Sequence, residues 1–98
     1  MRFNTYELNK KGELLDEYGE VASLYSPSGT VRVSISLKEN KILENNPLYL
    51  SATHIGITKA NNIAVGDLLK GEKNFEVLSL IADGLRMNAW LLKEVENE

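Results

Sequence analysis

Thr53-His54-Ile55-Gly56-Ile57-Thr58, Ile63-Ala64-Val65-Gly66-Asp67-Leu68-Leu69 and Phe75-Glu76-Val77-Leu78-Ser79-Leu80-Ile81 follow one another with only short polar connections between them. Each is a short apolar run bounded by turn-forming residues, the signature of a β-strand. An Asp83-Gly84 pair then leads into a fourth run, Leu85–Val95. Asp-Gly between two apolar runs predicts a hairpin with a type I′ turn, because both central residues of that turn need positive φ. Consecutive short strands without a helical period predict an all-β chain, a small β-barrel with short hairpins and one long loop. Such a barrel has little room for a catalytic cleft. Its faces and loops can be offered to a partner.

The front half extends the pattern. Thr30–Lys38 alternates cleanly: Val31, Val33, Ile35 and Leu37 fall on one side, Arg32, Ser34 and Ser36 on the other. Side chains of a strand alternate faces, so this is a half-buried strand with one wet surface. Phe3–Leu8 and Val21–Ser26 are shorter strand candidates, with turns expected at Asn9-Lys10-Lys11-Gly12 and Ser26-Pro27-Ser28-Gly29. Gly56 inside a strand predicts a bulge or sharp bend. Lys59-Ala60-Asn61-Asn62 and Lys70-Gly71-Glu72-Lys73-Asn74 are connections. Between Lys38 and Leu48 the chain has polar ends, two consecutive Asn and a Pro, with Ile42 and Leu43 in the middle. That is a loop with an apolar tip, which either folds back on its own barrel or touches a neighbour.

In the strand from Phe75, Phe75, Val77 and Ile81 share one parity and Leu78 and Leu80 the other, as where a strand crosses a core or an interface. In the last strand Leu85, Met87, Ala89, Leu91 and Val95 form the longer apolar face, with Trp90 and Leu92 opposite. Trp90 therefore has two readings: a large packing unit of the core, or, beside Leu92, an anchor for a subunit contact. Tyr49 joins them as an interface candidate.

Composition narrows the function classes. The 98 residues suit one domain spanning 1–98, and an apolar fraction of 43% is too high for disorder. No apolar run approaches a membrane span, and the opening Met1-Arg2-Phe3-Asn4-Thr5-Tyr6-Glu7 has no apolar h-region, so no secretory signal is expected. With no cysteine, disulfides, thiolate catalysis and cysteine-bound zinc are excluded. The net charge is −3 and the basic residues are scattered along the chain, a poor composition for gripping DNA and a suitable one for letting it pass. His54, the single histidine, lacks a second imidazole or thiolate for a metal, and an imidazole bonded to a strand neighbour is the expected role. Asp16, Glu17 and Glu20 lack the alternate spacing of a calcium loop. There is no phosphate-binding Gly-Lys-Ser/Thr motif, and Gly66-Asp67 reads as turn chemistry.

In order, the chain runs from Asp16-Glu17-Tyr18-Gly19-Glu20 through a Val31-Arg32-Val33-Ser34-Ile35 strand and a polar loop to Thr53–Thr58. Ile63-Ala64-Val65-Gly66-Asp67, Phe75-Glu76-Val77-Leu78-Ser79-Leu80 and a strand ending Leu91-Leu92-Lys93-Glu94-Val95 follow. This course resembles the head–tail connector proteins of long-tailed bacteriophages, the head-closure or stopper family. The likeness spans nearly the whole chain and rests on order and spacing rather than on any one motif.

The resemblance implies a structural virion protein without enzymatic activity or cofactor, assembled in the host cytoplasm and placed in the neck of the particle. Its partners would be itself, as a homo-oligomeric ring, a portal-adaptor protein above and a tail terminator or tail-completion protein below. Packaged DNA would pass through the channel without sequence-specific binding, and no membrane is involved. By position, the family's channel loop corresponds to Lys38, Glu39, Asn40, Lys41, Ile42, Leu43, Glu44, Asn45 and Asn46, running on to Leu48. Apolar tips meeting near a ring axis would each contribute roughly 1.5–3 kcal/mol of burial, enough to close a bore that a docking tail can open. The chain is short for the family, which bears on the loop's reach. Rival readings are a tail-completion or adaptor subunit of the same neck and, from another class, a small barrel that binds single-stranded nucleic acid. The latter needs a basic groove interleaved with aromatics, drawn from Arg32, Tyr25, Tyr49 and Trp90. A small hydrolase or isomerase lacks the acid–base pair it would need.

Overall fold

A computed structural model describes residues 2–15, 17–19, 21–38, 51–84 and 86–96. The strands are β1 (Asn4–Leu15), β2 (Val21–Leu37), β3 (His54–Thr58), β4 (Leu68–Lys70), β5 (Asn74–Asp83) and β6 (Asn88–Val95). They close into an antiparallel barrel in the order β1-β2-β3-β6-β5-β4, so the chain is all-β as its strand pattern predicts. Closure gives every one of these six strands a partner on both sides over part of its length, which limits the exposed edge that is the usual liability of a small β protein.

The core is what alternation places inside. Tyr6 and Leu8 of β1, Val31 and Val33 of β2, Leu69 of β4, Phe75 and Val77 of β5, and Trp90 and Leu92 of β6 form one buried cluster, closed by Ile63. Thr58 is fully buried among them, and its hydroxyl is satisfied twice: it donates to the Arg32 carbonyl at 2.8 Å and accepts the Ala60 N–H at 3.0 Å. A smaller cluster on the outer face joins Ala52 and Leu91, with Ile55 and Leu78 packed against them. β6 is thus covered on both sides, and its inward face is the Trp90–Leu92 side rather than the longer apolar series.

Several local expectations give way to longer strands. Asn9–Gly12 is not a turn: β1 continues to Leu15, and β2 runs unbroken through Ser26–Gly29. From Glu7↔Thr30 to Asn9↔Pro27, β1 advances two residues and β2 three, so one extra residue bulges out of β2. Gly29, at φ 90°, supplies the left-handed conformation such a bulge needs. The turns expected at Asn9–Gly12 and Ser26–Gly29 are absent: pairing between β1 and β2 continues through both, and the break in regular backbone near Ser26–Gly29 is a bulge. β5 carries two more extra residues, Leu78 and Ile81, between Val77/Ser79 and Leu80/Ala82. Each shifts the parity, so Ile81 leaves the face of Phe75 and Val77, and Leu80 lies across from Trp90.

Gly56 marks no bulge. It holds regular register between Ile35 and Trp90, and a Cβ there would lie 2.7 Å from Leu92 Cδ1 and 3.0 Å from Val33 Cγ1. Close approach, not bending, demands the glycine. Of the run Ile63–Leu69 only Leu68 and Leu69 are strand; the earlier residues loop through Gly66 at φ 95°. The Asp83-Gly84 hairpin exists, but it is wider than a type I′ turn. β5 and β6 are joined across residues 84–87, Gly84 N–H donates to the Met87 carbonyl at 3.0 Å, and neither Asp83 nor Gly84 has positive φ.

Candidate assembly surfaces

Two of the interface candidates are core residues. Trp90 is 8% exposed and Leu92 1%, so neither can anchor a partner without opening the barrel. Strand register explains it: Trp90 and Leu92 share the inward parity of β6, and Leu92 packs with Val33 over the space that Gly56 leaves free. The Trp90 indole N–H finds no acceptor among the described residues. Its burial also removes the largest ring from any stacking platform for nucleic acid. Tyr49 and the loop candidates Glu39, Asn40, Lys41, Ile42, Leu43, Glu44, Asn45 and Asn46 lie outside the described residues; Lys38 is half-buried at the loop's start.

The two ends of that loop meet on the barrel. Lys38 N–H donates to the Thr53 carbonyl at 3.0 Å, and Thr53 N–H to the Leu92 carbonyl at 2.9 Å. The Thr53 hydroxyl accepts the Glu94 N–H at 2.8 Å and lies 2.8 Å from His54 Nδ1. Lys38 and Thr53, on either side of that segment, therefore meet at one point on the barrel, and Thr53 ties that point to β6. Beside the clamp the barrel end opens into a cleft of about 260 Å³ lined by Tyr6, Ile35, His54, Glu72, Lys73 and Phe75. His54 packs edge-on to Phe75 with ring centres 4.9 Å apart, and Tyr6 meets the same ring at 6.1 Å. Burial pushes the His54 pKa below 6.5; Glu94 opposes that shift and Lys73 adds to it. The imidazole is a strand residue bonded to its neighbour, as expected, and no metal-binding group of three or more His, Cys, Asp or Glu occurs among the described residues.

At the other end the β1–β2 hairpin outgrows the barrel. β4 reaches β1 only at residues 7–9 and β3 reaches β2 only at 33–37, while β1 and β2 go on pairing from Lys10↔Ser26 to Leu15↔Val21. The result is a two-stranded arm, with Leu24 48% and Tyr25 37% exposed. A lone hairpin is marginally stable. Its base is held by Asp67, for which the sequence predicts only a turn role. The Asp67 carboxylate, 2% exposed, accepts Lys10 Nζ at 2.5 Å, the Lys11 N–H at 3.2 Å and the Ala64 N–H at 2.8 Å. The signal available in sequence was the positive-φ glycine before an acid; the partner, 57 residues away in the chain, was not. Beyond Val77, β5 pairs with no strand on the β4 side among the described residues, and Leu80 and Ile81 are 41% and 45% exposed. Arm and β5 edge are the surfaces that the barrel leaves unfinished.

No helix among the described residues is long and apolar enough to cross a membrane. No family model matches the sequence, and no curated protein matches it. Among solved structures, the chain is similar to one in the virion of a native gene transfer agent particle, with a TM-score of 0.65 and 12% identity, covering 97% of each chain. At that identity the likeness shows a shared fold: this small closed barrel, over its whole length, is built like a chain of that particle.

Proposed function

We propose that the protein is a structural subunit of a phage-type virion: a non-enzymatic neck component that forms a ring between portal-adaptor and tail and helps close the DNA channel. The observation that carries this reading is the likeness in fold, over 97% of both chains, to a chain of a virion particle. It agrees with the connector-like order of sequence elements. The arm and the β5 edge supply apolar surface for identical neighbours, which a ring requires as heterologous contacts. Lys38 is bonded to Thr53, and Thr53 to β6, so the two residues that flank the proposed channel segment are held together on the barrel. Tail-completion and adaptor subunits of the same neck share this logic and differ in where the ring sits.

Electron microscopy of particles with this subunit labelled tests the placement: a ring beneath the portal is expected, and label absent from particles refutes the reading. Deleting Asn40–Asn46 tests the gate. Leakage of packaged DNA from otherwise complete particles is expected; particles that keep their DNA would remove the loop's closing role and leave the ring.

A further inference from the structure

The basic residues are scattered in sequence, but the fold gathers three of them. Val33 pairs with Thr58 at the end of the β2–β3 ladder, and Arg32 and Lys59 lie just beyond that last pair. With Phe3 and Ala60 they line a cleft of about 280 Å³. Lys59 also lines an adjoining cleft of about 270 Å³ with Arg86 and Met87, where Asp83 is the acid present. Among the described residues the ion pairs are Lys10–Asp67 and Lys73–Glu94, and neither involves Arg32, Lys59 or Arg86. Like charges set opposite one another on a sheet repel. Leaving them unpaired in a chain of net charge −3 points to an anion supplied from outside.

We infer that the Arg32–Lys59 cleft is a docking site for the acidic end of β6, Glu94-Val95-Glu96, of a second copy of this chain. Charge and shape correspond. Strand alternation, continued by one residue, sets Glu94 and Glu96 on one side, roughly 6.5–7 Å apart, so two carboxylates can meet the two cations of the cleft together. Glu94 and Glu96 are exposed and Val95 is half-buried. Glu94 is held only by an exposed 3.7 Å contact to Lys73, which contributes little and exchanges readily. The acid cannot come from the same copy. The cleft lies where β3 ends and β6 begins, and the length of β6, Asn88–Val95, separates it from Glu94 and Glu96 by roughly 20–25 Å. The contact is therefore heterologous, and it closes into a ring when the rotation per copy divides a full turn. The inference deepens the ring reading above by naming one pair of surfaces that hold neighbours together.

The test uses the 98-residue chain in sedimentation equilibrium at roughly 50 mM salt, where surface charges are weakly screened. Wild type is expected to self-associate, less so at high salt. Arg32→Glu with Lys59→Glu should weaken association about ten-fold or more, as should Glu94→Lys with Glu96→Lys. Mixing the two variants is the decisive measurement, because the acidic cleft of one then matches the basic strand end of the other: association should return in the mixture. All four positions are solvent-facing, and circular dichroism confirms that each variant is folded. Wild type that stays monomeric, reversals without effect, or a mixture no better than its components overturns the inference. Loss of DNA retention by the cleft variant with self-association unchanged would assign the cleft to phosphate and overturn it too. None of these outcomes touches the neck reading, which stands or falls on the label in particles.

Discussion

Asp67 is the most informative single position for stability, because one buried carboxylate makes three contacts that tie the base of the arm to the loop before β4. It takes Lys10 Nζ from the base of the arm, the Lys11 N–H from β1 and the Ala64 N–H from the loop before β4. The Asp67 backbone extends the junction: its N–H donates to the Ala64 carbonyl at 3.2 Å and its carbonyl accepts the Val77 N–H at 2.9 Å. Asp67→Ala removes a charge-assisted bond and leaves two backbone donors without their acceptor. A buried donor left unsatisfied costs about 1–3 kcal/mol, and breaking a buried ion pair about 3–5. Lys11 and Ala64 are exposed residues, so water partly replaces the acceptor. The expected loss is about 2–4 kcal/mol, a large share of a stability of roughly 5–15 kcal/mol.

Asp67→Asn should do nearly as badly despite its conserved volume, because one oxygen becomes an NH₂ that faces other donors. Lys10→Met should cost about 1–3 kcal/mol, since the carboxylate keeps its two N–H partners, and the pair should be coupled in a double-mutant cycle. Urea unfolding measures all three. Hydrogen exchange adds a local readout: arm amides should exchange faster in Asp67→Ala, while those of β3 and β6 follow global stability. A loss below about 1 kcal/mol for Asp67→Ala, or unchanged arm exchange, refutes the idea that this carboxylate fastens the arm.

Gly56→Ala places a methyl group against Leu92 Cδ1 and Val33 Cγ1, both fully packed, and should destabilise by about 1–3 kcal/mol in thermal or urea unfolding. Trp90→Ala should cost about 3–5 kcal/mol, whereas Trp90→Phe should cost markedly less, because it also removes an indole N–H that has no acceptor among the described residues. For His54 the folded pKa lies below the unfolded 6.5, so the unfolded chain binds the proton more readily. Stability should therefore fall as pH drops from just above 6.5 through the lowered pKa, and His54→Phe should lack that part of the slope in pH-dependent unfolding.

Residues 30–38 show how much could be read locally. Their period-2 pattern named Val31 and Val33 as core, and both are buried. The same rule at the end of the strand named Leu37, which is 75% exposed, because alternation specifies a face and not whether anything covers it. Ser26–Gly29 shows the opposite failure. Gly and Pro there signal a break in regular backbone, and whether that break becomes a turn or a bulge depends on pairing with β1, a partner local reading does not see. Arg32 and Lys59 are far apart in the chain and become neighbours only through the register of β2 and β3.

Sequence alone therefore determined the class of this protein: short apolar runs bounded by turn residues point to a small β-barrel, since those properties act within a few residues of one another. Tertiary structure decided which face of β6 turns inward, which acid fastens the arm, and which cations stand together at one end. Each of those depends on strand register and barrel closure, which couple residues tens of positions apart through hydrogen bonds that no local pattern encodes.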